Sequence, residues 1–260
     1  MNAPWQHPPL DDGGPASGSE SPPAPESPPA DPRSFAPVAP AWHTGILLTY
    51  LAGFTWLSAT SAPVEGAAPI VSRPAIYLTV LIFQWLLFGI TYWGLRLHQI
   101  PIGAILSYRW RGWSGVGRCF LLAAGCWIVT FAGVAQALDA TGMRDPGQVH
   151  RVLEMIAPRG PLELAIWTAV AVTAGFVEEI VFRGYLQRQF TAWTRNHLAG
   201  IALSAIVFGA GHLYQGIASA AIILVVGFCF SAAAYATRSL VPGVIAHAWE
   251  DLISGIAGRG

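Results

Sequence analysis

Ionisable side chains form three short patterns within the apolar part of this sequence. A charged side chain at the centre of a membrane helix costs about 2.5 to 3.5 kcal/mol on insertion scales, so those that persist usually face a cavity or a partner and carry function. Carboxylates and imidazoles are also the groups that transfer protons during hydrolysis. The patterns are Glu178-Glu179-x-x-x-Arg183, Phe208-x-x-x-His212 and His247-x-x-x-Asp251. Together they predict a polar site enclosed by helices.

The two adjacent glutamates of the first pattern have different predicted roles. Glu179 and Arg183 are four residues apart with the acid on the N-terminal side, which is the better orientation for an ion pair on one helical face. Glu178 lies about 100° around the helix from Glu179, so it can point elsewhere and act as a general base. A salt network that only packs helices is the alternative interpretation of these residues.

The second pattern can reach the same depth as the first. The turn at Arg195 lies 17 residues after Glu178 and 17 before His212, so two antiparallel helices would carry these side chains to a common cavity. Phe208 is one turn before His212 on the same face and would form a wall of that cavity. Taken alone, His212 would more often be a hydrogen-bonded structural histidine.

The third pattern places an imidazole and a carboxyl group on one face of the last helix. His247 and Asp251 are four residues apart, while Glu250 is offset by about 100° and is assigned to another face. The estimated depth of His247, close to the turn at Arg238, does not match that of His212. Sequence alone therefore leaves two interpretations, a shared site or a pair that ties the last helix to its neighbours.

Seven apolar runs could position these patterns. A run of about 20 residues crosses a hydrocarbon core of about 30 Å, and in lipid the backbone must satisfy its own hydrogen bonds as a helix. The runs are approximately 43–62, 75–96, 117–138, 161–190, 198–215, 217–237 and 241–257. We therefore predict an all-α polytopic membrane helical bundle of about seven transmembrane helices over residues 41–260, with the site residues in a core at about 160–257.

Composition agrees with a membrane protein and sets the N-terminal segment apart. The 260 residues are 53% hydrophobic and 11% charged, against about 25% charged in soluble domains. The formal net charge is zero, which argues against a nucleic-acid partner. Residues 1–40 contain 12 of the 20 prolines and five acids without an apolar period, so they are predicted to be a disordered tail.

Arginine positions predict how the helices cross the membrane. The link between the second and third runs contains Arg96, Arg109, Arg111 and Arg118. Cytoplasmic loops carry an excess of basic residues, so this link is expected on the cytoplasmic side. Alternation then places the N-terminal tail in the cytoplasm and the C-terminus outside.

The three patterns, in this order on successive apolar helices, resemble the EExxxR, FxxxH and Hxxx(N/D) motifs of the type II CAAX prenyl endopeptidases. Bacterial relatives of these enzymes form the CPBP group (CAAX protease and bacteriocin-processing, Abi) of intramembrane proteases. The resemblance covers roughly Leu162 to Ile256. It implies an all-helical core whose motif residues line a cavity that opens toward the cytosol.

The resemblance also implies a role for each motif residue. Glu178 would activate a water with help from His212, and Glu179 and Arg183 would hold the local geometry, with Phe208 beside them. His247 and residue 251 would stabilise the oxyanion that forms at the scissile amide. These implied roles cover the positions Glu178, Glu179, Arg183, Phe208, His212, His247 and Asp251.

Asp251 departs from the commonest form of the third motif. Family members often have Asn at this position, and an Asn amide donates hydrogen bonds whereas an ionised Asp only accepts them. We therefore expect Asp251 to orient His247 and to leave the imidazole as the donor. Glu178, His212, His247 and Asp251 are also potential zinc ligands, but the sequence has no HExxH helix. We predict a glutamate protease without a metal cofactor, with zinc at Glu178, His212 and His247 as the alternative.

The sequence thus favours an intramembrane endopeptidase, multi-pass in a bacterial inner membrane, with membrane lipid and a membrane-associated peptide or protein as its partners. A non-catalytic membrane scaffold or bacteriocin self-immunity protein with the same fold is the first alternative. A small transporter is the second, because paired charges in helices also mark proton relays. No inverted hydropathy repeat supports the transporter. Substrate and oligomeric state are not defined by the sequence.

Overall fold

The computed structural model describes residues 34–60, 71–106, 112–129, 133, 136–142 and 155–257. These residues form helices and turns without any strand, which confirms the all-α prediction. The helices are α1 (Ala41–Thr60), α2 (Arg73–Leu97), α3 (Ile102–Leu106), α4 (Gly112–Trp127), α5 (Gln136–Ala140), α6 (Pro161–Glu178), a π-helical segment (Glu179–Leu186), α7 (Gln187–Thr194), α8 (His197–Ala210), a 3₁₀ turn (Leu213–Gln215), α9 (Ile217–Thr237) and α10 (Val241–Ala257).

Among the described residues, three helices are long and apolar enough to cross a membrane, namely Arg73–Leu97, Pro161–Thr194 and Ile217–Thr237. The predicted count of seven spans is therefore not confirmed. The fifth run illustrates the difference. Its apolar residues predict a helix over 198–215, but α8 ends at Ala210 and is followed by a 3₁₀ turn. Gly216 after that turn has φ 93°, a backbone conformation that glycine adopts without strain. An apolar run in sequence thus overstates the length of the helix.

Residues 34–40, which were predicted to belong to the solvated tail, pack against the helices. Val38 and Ala39 are buried, and their N–H groups donate to Oε1 of the buried Gln189 at 2.9 and 3.2 Å. Gln189 Nε2 donates in return to the Ala39 carbonyl at 2.9 Å. Val38 and Ala39 thus contact the helices through a buried amide that composition alone does not reveal. The remainder of the predicted tail, residues 1–33, lies outside the described residues.

The centre of the fold is the continuous helix made of α6, the π segment and α7. This helix spans 34 residues, longer than a single crossing needs, and all eight residues of the π segment are buried. It packs against α2, α8, α9 and α10. π turns inside α-helices are rare, and those that occur are often found at functional sites. The long helix thus carries the first polar pattern into the middle of the bundle.

Small residues allow α6 and α10 to approach each other closely. A Cβ atom on Gly175 would lie 2.7 Å from the backbone nitrogen of Ala248, closer than a carbon atom can stand. Close backbone approach through small residues is a general feature of helix packing in membranes. The contact places the third polar pattern, on α10, directly beside the end of α6.

Candidate active site

The structure brings residues from all three patterns together where α6 meets the π segment. His247 Nε2 on α10 lies 3.5 Å from Glu178 Oε2. The Phe208 ring is 5.0 Å from the His212 ring and 5.7 Å from the His247 ring, measured between centroids. The two histidines therefore flank one buried aromatic ring. His247 thus lies beside Glu178, as a shared site requires, and its contact with Glu179 also ties the last helix to its neighbour.

Glu179 and Arg183 form the predicted ion pair. Arg183 Nη1 donates to Glu179 Oε1 at 2.8 Å, and both side chains are fully buried. Arg183 Nη2 donates to the Gly227 carbonyl on α9 at 3.2 Å. The guanidinium carbon lies 4.5 Å from the centroid of the Phe208 ring, within the range of a cation–π interaction. This pair thus joins the π segment to α8 and α9.

His247 lies between carboxylates on both of its ring nitrogens. Nδ1 is 3.3 Å from Glu179 Oε1, the oxygen that also accepts from Arg183. Nε2 is 3.5 Å from Glu178 Oε2 and 3.8 Å from Asp251 Oδ2. The hydrogen bond that orients the ring is therefore made by Glu179, whereas Asp251 was predicted to orient it. His247 and Asp251 share one helical face as predicted, but their side chains are too far apart for a hydrogen bond.

Asp251 marks the more open side of the site. Its side chain is 33% exposed, compared with 12% for Glu178 and 0% for Glu179. Its backbone carbonyl accepts a hydrogen bond from Trp167 Nε1 on α6 at 3.1 Å. The charged groups thus become progressively more enclosed from Asp251 through Glu178 to Glu179. The site therefore has one more exposed end, at Asp251.

His212 follows α8, and its ring orientation determines which nitrogen can accept a proton. His212 Nδ1 lies 2.8 Å from the Phe208 carbonyl, which can only accept, so Nδ1 carries the hydrogen. In a neutral imidazole, Nε2 is then left with a free lone pair. Because α8 ends at Ala210, His212 lies in the turn after this helix, where the prediction had placed it inside an apolar run.

Gln84 on α2 is a site residue that the sequence analysis missed. Its Nε2 donates to Glu178 Oε1 at 2.5 Å, and the residue is 3% exposed. The three patterns consist mainly of ionisable residues in the last four apolar runs. Gln84 is neutral and lies in the second run. A weak signal existed, because Gln84 lies midway between Tyr77 and Thr91 at seven-residue spacing, a spacing that indicates one helical face. All three residues are buried.

Gly243 allows α10 to approach the Glu179 carboxylate. A Cβ atom at Gly243 would come within 2.4 Å of Glu179 Oε2. Any larger residue would push the carboxylate away from Arg183 and His247. The sequence analysis did not identify this glycine, since its requirement arises from a neighbouring helix. Only the packing of α10 against the π segment reveals it.

No group of three or more His, Cys, Asp or Glu side chains in the described part of the chain is arranged to hold a metal ion. Glu178 and His247 approach each other, and the hydrogen bond from His212 Nδ1 to the Phe208 carbonyl leaves His212 Nε2 with its lone pair. The arrangement does offer a carboxylate, an imidazole with a free lone pair and a second imidazole held by a carboxylate. These are the elements of general acid–base chemistry.

Comparison with known proteins agrees with this geometry. Residues 160–253 match the family model described as type II CAAX prenyl endopeptidase Rce1-like. This range contains all three polar patterns and excludes Gln84. No curated protein and no solved structure matches the chain. The family match supports CAAX-type intramembrane protease activity in general terms, and together with the three long apolar helices it indicates a membrane protein. The resemblance seen in the three motifs is confirmed over residues 160–253, which match the type II CAAX prenyl endopeptidase Rce1-like family model.

Proposed function

We propose that this chain is an intramembrane endopeptidase that hydrolyses a peptide bond of a membrane-associated protein or peptide with a water activated by Glu178. The observation that carries the proposal is the division of labour between the two glutamates. Glu179 is held by Arg183 and His247. Glu178 is not paired with Arg183, its side chain is 12% exposed, and its Oε2 accepts no hydrogen bond from the described residues, whereas Glu179, whose Oε2 is also unbonded, is fully enclosed. A carboxylate oxygen that accepts no hydrogen bond from the protein is suited to bind and deprotonate water.

The reaction requires four proton and bond changes at this site. The water oxygen bonds to the carbonyl carbon of the scissile amide while one water proton passes to Glu178. The resulting oxyanion accepts a hydrogen bond, and the proton on Glu178 then moves to the amide nitrogen as the C–N bond breaks. The products are a carboxylic acid and an amine, and Glu178 returns to its starting state. Proton transfer by a positioned side chain typically contributes about 10²- to 10⁴-fold to the rate.

The two histidines take separate roles in the proposed reaction. His212 Nε2, left as an acceptor by the Nδ1–Phe208 hydrogen bond, assists the proton transfers as a second base once the water has attacked. His247, held at Nδ1 by Glu179, directs Nε2 toward the gap between Glu178 and Asp251. With both ring nitrogens of His247 protonated, as an imidazolium between carboxylates, the Nε2–H group can donate to the oxyanion, and losing one such donor typically costs about 10²- to 10³-fold in rate.

The proposal includes the place and the partners of the reaction. The chain is multi-pass in the inner membrane of a bacterium, surrounded by lipid, and it acts without a metal cofactor. Its substrate is a membrane-associated protein or peptide, because the polar site lies among apolar helices. The exposed side chain of Asp251 marks the end through which water and the extended substrate backbone enter.

The decisive experiment compares the N-terminal peptides of membrane proteins from cells that carry wild type, Glu178→Gln or Glu163→Gln. Glu163 is the matched control because it lies on the same helix, 15 residues or about 22 Å from Glu178, and bonds only locally to the Arg159 N–H among the described contacts. We expect a product peptide with wild type and Glu163→Gln that disappears with Glu178→Gln, at equal protein levels. Identical peptides in all three membranes would instead support a non-catalytic scaffold or self-immunity protein.

A further inference from the structure

Three buried oxygen atoms at the site accept no hydrogen bond from the residues that the structure describes, and two of them belong to residues that bond to each other. These two are Oε2 of Glu178 and Oε1 of Gln84, and the third is Oε2 of Glu179. The remaining polar atoms of the same two groups bond to each other, from Gln84 Nε2 to Glu178 Oε1. The carboxylate and the amide are thus hydrogen-bonded to each other, and each has one oxygen that accepts no hydrogen bond.

One water molecule between two acceptors of this kind would satisfy both of them. Buried polar groups are almost always hydrogen-bonded, and leaving one unpaired costs about 1 to 3 kcal/mol. A buried water typically makes two to four hydrogen bonds to such groups. A water between Glu178 and Gln84 would donate one hydrogen to each oxygen. Both of its hydrogens would then be fixed, and its lone pairs would point away from the two acceptors.

The position of Gln84 on α2 supports a dedicated role. The buried face of α2 that includes Tyr77 and Thr91 packs against α6, and the remaining members of that face are apolar or small. A buried glutamine on such a face costs stability unless its amide is fully bonded. Thr91 satisfies its own hydroxyl on the Leu87 carbonyl of the same helix. Gln84 instead directs its amide to a catalytic carboxylate on another helix.

We propose that Gln84 positions the hydrolytic water together with Glu178, which extends the active site to a helix outside residues 160–253. This inference rests on the proposed function, because it assigns a place to the water of that reaction. Gln84 Oε1 accepts one water hydrogen while Glu178 Oε2 accepts the other. When the water attacks, the hydrogen on Glu178 is the one transferred, and Gln84 retains its hydrogen bond to the remaining O–H. The Gln84 N–H group meanwhile fixes the rotamer of Glu178.

The first test needs no substrate. An experimental structure of the full chain at a resolution that shows buried water is expected to have a water within hydrogen-bond distance of both Glu178 Oε2 and Gln84 Oε1. In Gln84→Met, which keeps the length of the side chain, that water should be lost or displaced while the backbone is unchanged. If other buried waters are visible and this position is dry in the wild-type protein, the inference is wrong.

The second test measures the cleavage rate of the product-forming peptide found in the N-terminal comparison. We expect kcat of Gln84→Met to fall about 10²-fold with KM roughly unchanged, since the substrate still binds but the attacking water is misplaced. Thr91→Val, also buried on α2, is the matched control and should retain wild-type kcat. Gln84→Glu should recover part of the rate at acidic pH, where a protonated carboxyl group can donate to Glu178.

The outcomes of these tests separate the two proposals. A Gln84→Met rate equal to that of Thr91→Val overturns the role of Gln84 and leaves the proposed function intact. A fall in the rate that Gln84→Glu does not relieve at any pH also overturns it, because the loss would then reflect packing alone. If the wild-type chain yields no product although the water is in place, the proposed function fails and the water site stands.

Discussion

His247 Nδ1 lies 3.3 Å from Glu179 Oε1, the same oxygen that accepts from Arg183. One carboxylate oxygen therefore links the structural ion pair to the imidazole that faces Glu178. This connection resembles the logic of a catalytic triad, in which a buried acid fixes the orientation of a histidine. The Glu179–Arg183 ion pair and the His247 imidazole are thus joined through one oxygen atom, so a change in one is expected to affect the other.

The orienting acid is predicted to be Glu179, so substitutions at Glu179 and Asp251 should differ in effect. Glu179→Gln weakens the bonds to both Arg183 and His247, and we expect the cleavage rate to fall about 10²- to 10³-fold. Asp251→Asn changes a group 3.8 Å from His247 Nε2 and should keep the rate within about 10-fold of wild type. Product formation in membranes with matched protein levels measures both. A larger loss at Asp251 would return the orienting role to that residue.

The two ring nitrogens of His212 are expected to have separable functions. His212→Asn retains a side-chain N–H that can donate to the Phe208 carbonyl, but it lacks an acceptor at the position of Nε2. We expect wild-type thermal stability in detergent and a loss of about 10²- to 10⁴-fold in cleavage rate. His212→Ala is the comparison, and it should lose both stability and rate. Full activity in His212→Asn would remove this histidine from the reaction.

Arg183 should be more important for stability than for chemistry. Arg183→Met leaves the buried Glu179 carboxylate without its cation and removes the donor to the Gly227 carbonyl. Breaking a buried ion pair from one side typically costs about 3 to 5 kcal/mol. The free energy of unfolding in mixed micelles measures this loss. The double variant Glu179→Gln with Arg183→Met should recover part of it, because the uncompensated charge is gone.

Gly243 and Gly89 offer a matched pair of glycine-to-alanine changes. A Cβ at Gly243 would collide with the Glu179 carboxylate, whereas a Cβ at Gly89 on α2 meets nothing within 4 Å. We expect Gly243→Ala to lower the free energy of unfolding by about 1 to 3 kcal/mol and to reduce the cleavage rate. Gly89→Ala should have a neutral or slightly stabilising effect, since glycine is unfavourable in helices. Equal stability of the two variants would contradict the close approach of α10.

Metal removal provides a direct test of the proposed chemistry. If Glu178 itself activates the water, exhaustive treatment of the purified protein with a chelator should leave the cleavage rate unchanged. The rate is measured before and after treatment, and again after addition of zinc. Loss of activity on chelation and its return with zinc would favour the alternative, a zinc ion held by Glu178, His212 and His247.

Local spacing made several features of this protein predictable from the sequence. The helical class follows from apolar runs of membrane length, because a backbone in lipid must bond to itself. The Glu179–Arg183 pair follows from four-residue spacing within one helix. The motif order was sufficient to identify the family. Each of these inferences depends on residues that are neighbours along one element, where the helical repeat determines the geometry.

Contacts between elements were decided only by the tertiary structure. Three contacts join segments that are distant in sequence. They are the contact of Glu179 with His247, that of Gln84 with Glu178, and that of residues 34–40 with Gln189. Their geometry depends on the tilt, register and close approach of packed helices, and on where an apolar run ceases to be helical. A sequence specifies which side chains can react, but the packing of one helix against another determines which atoms of those side chains meet.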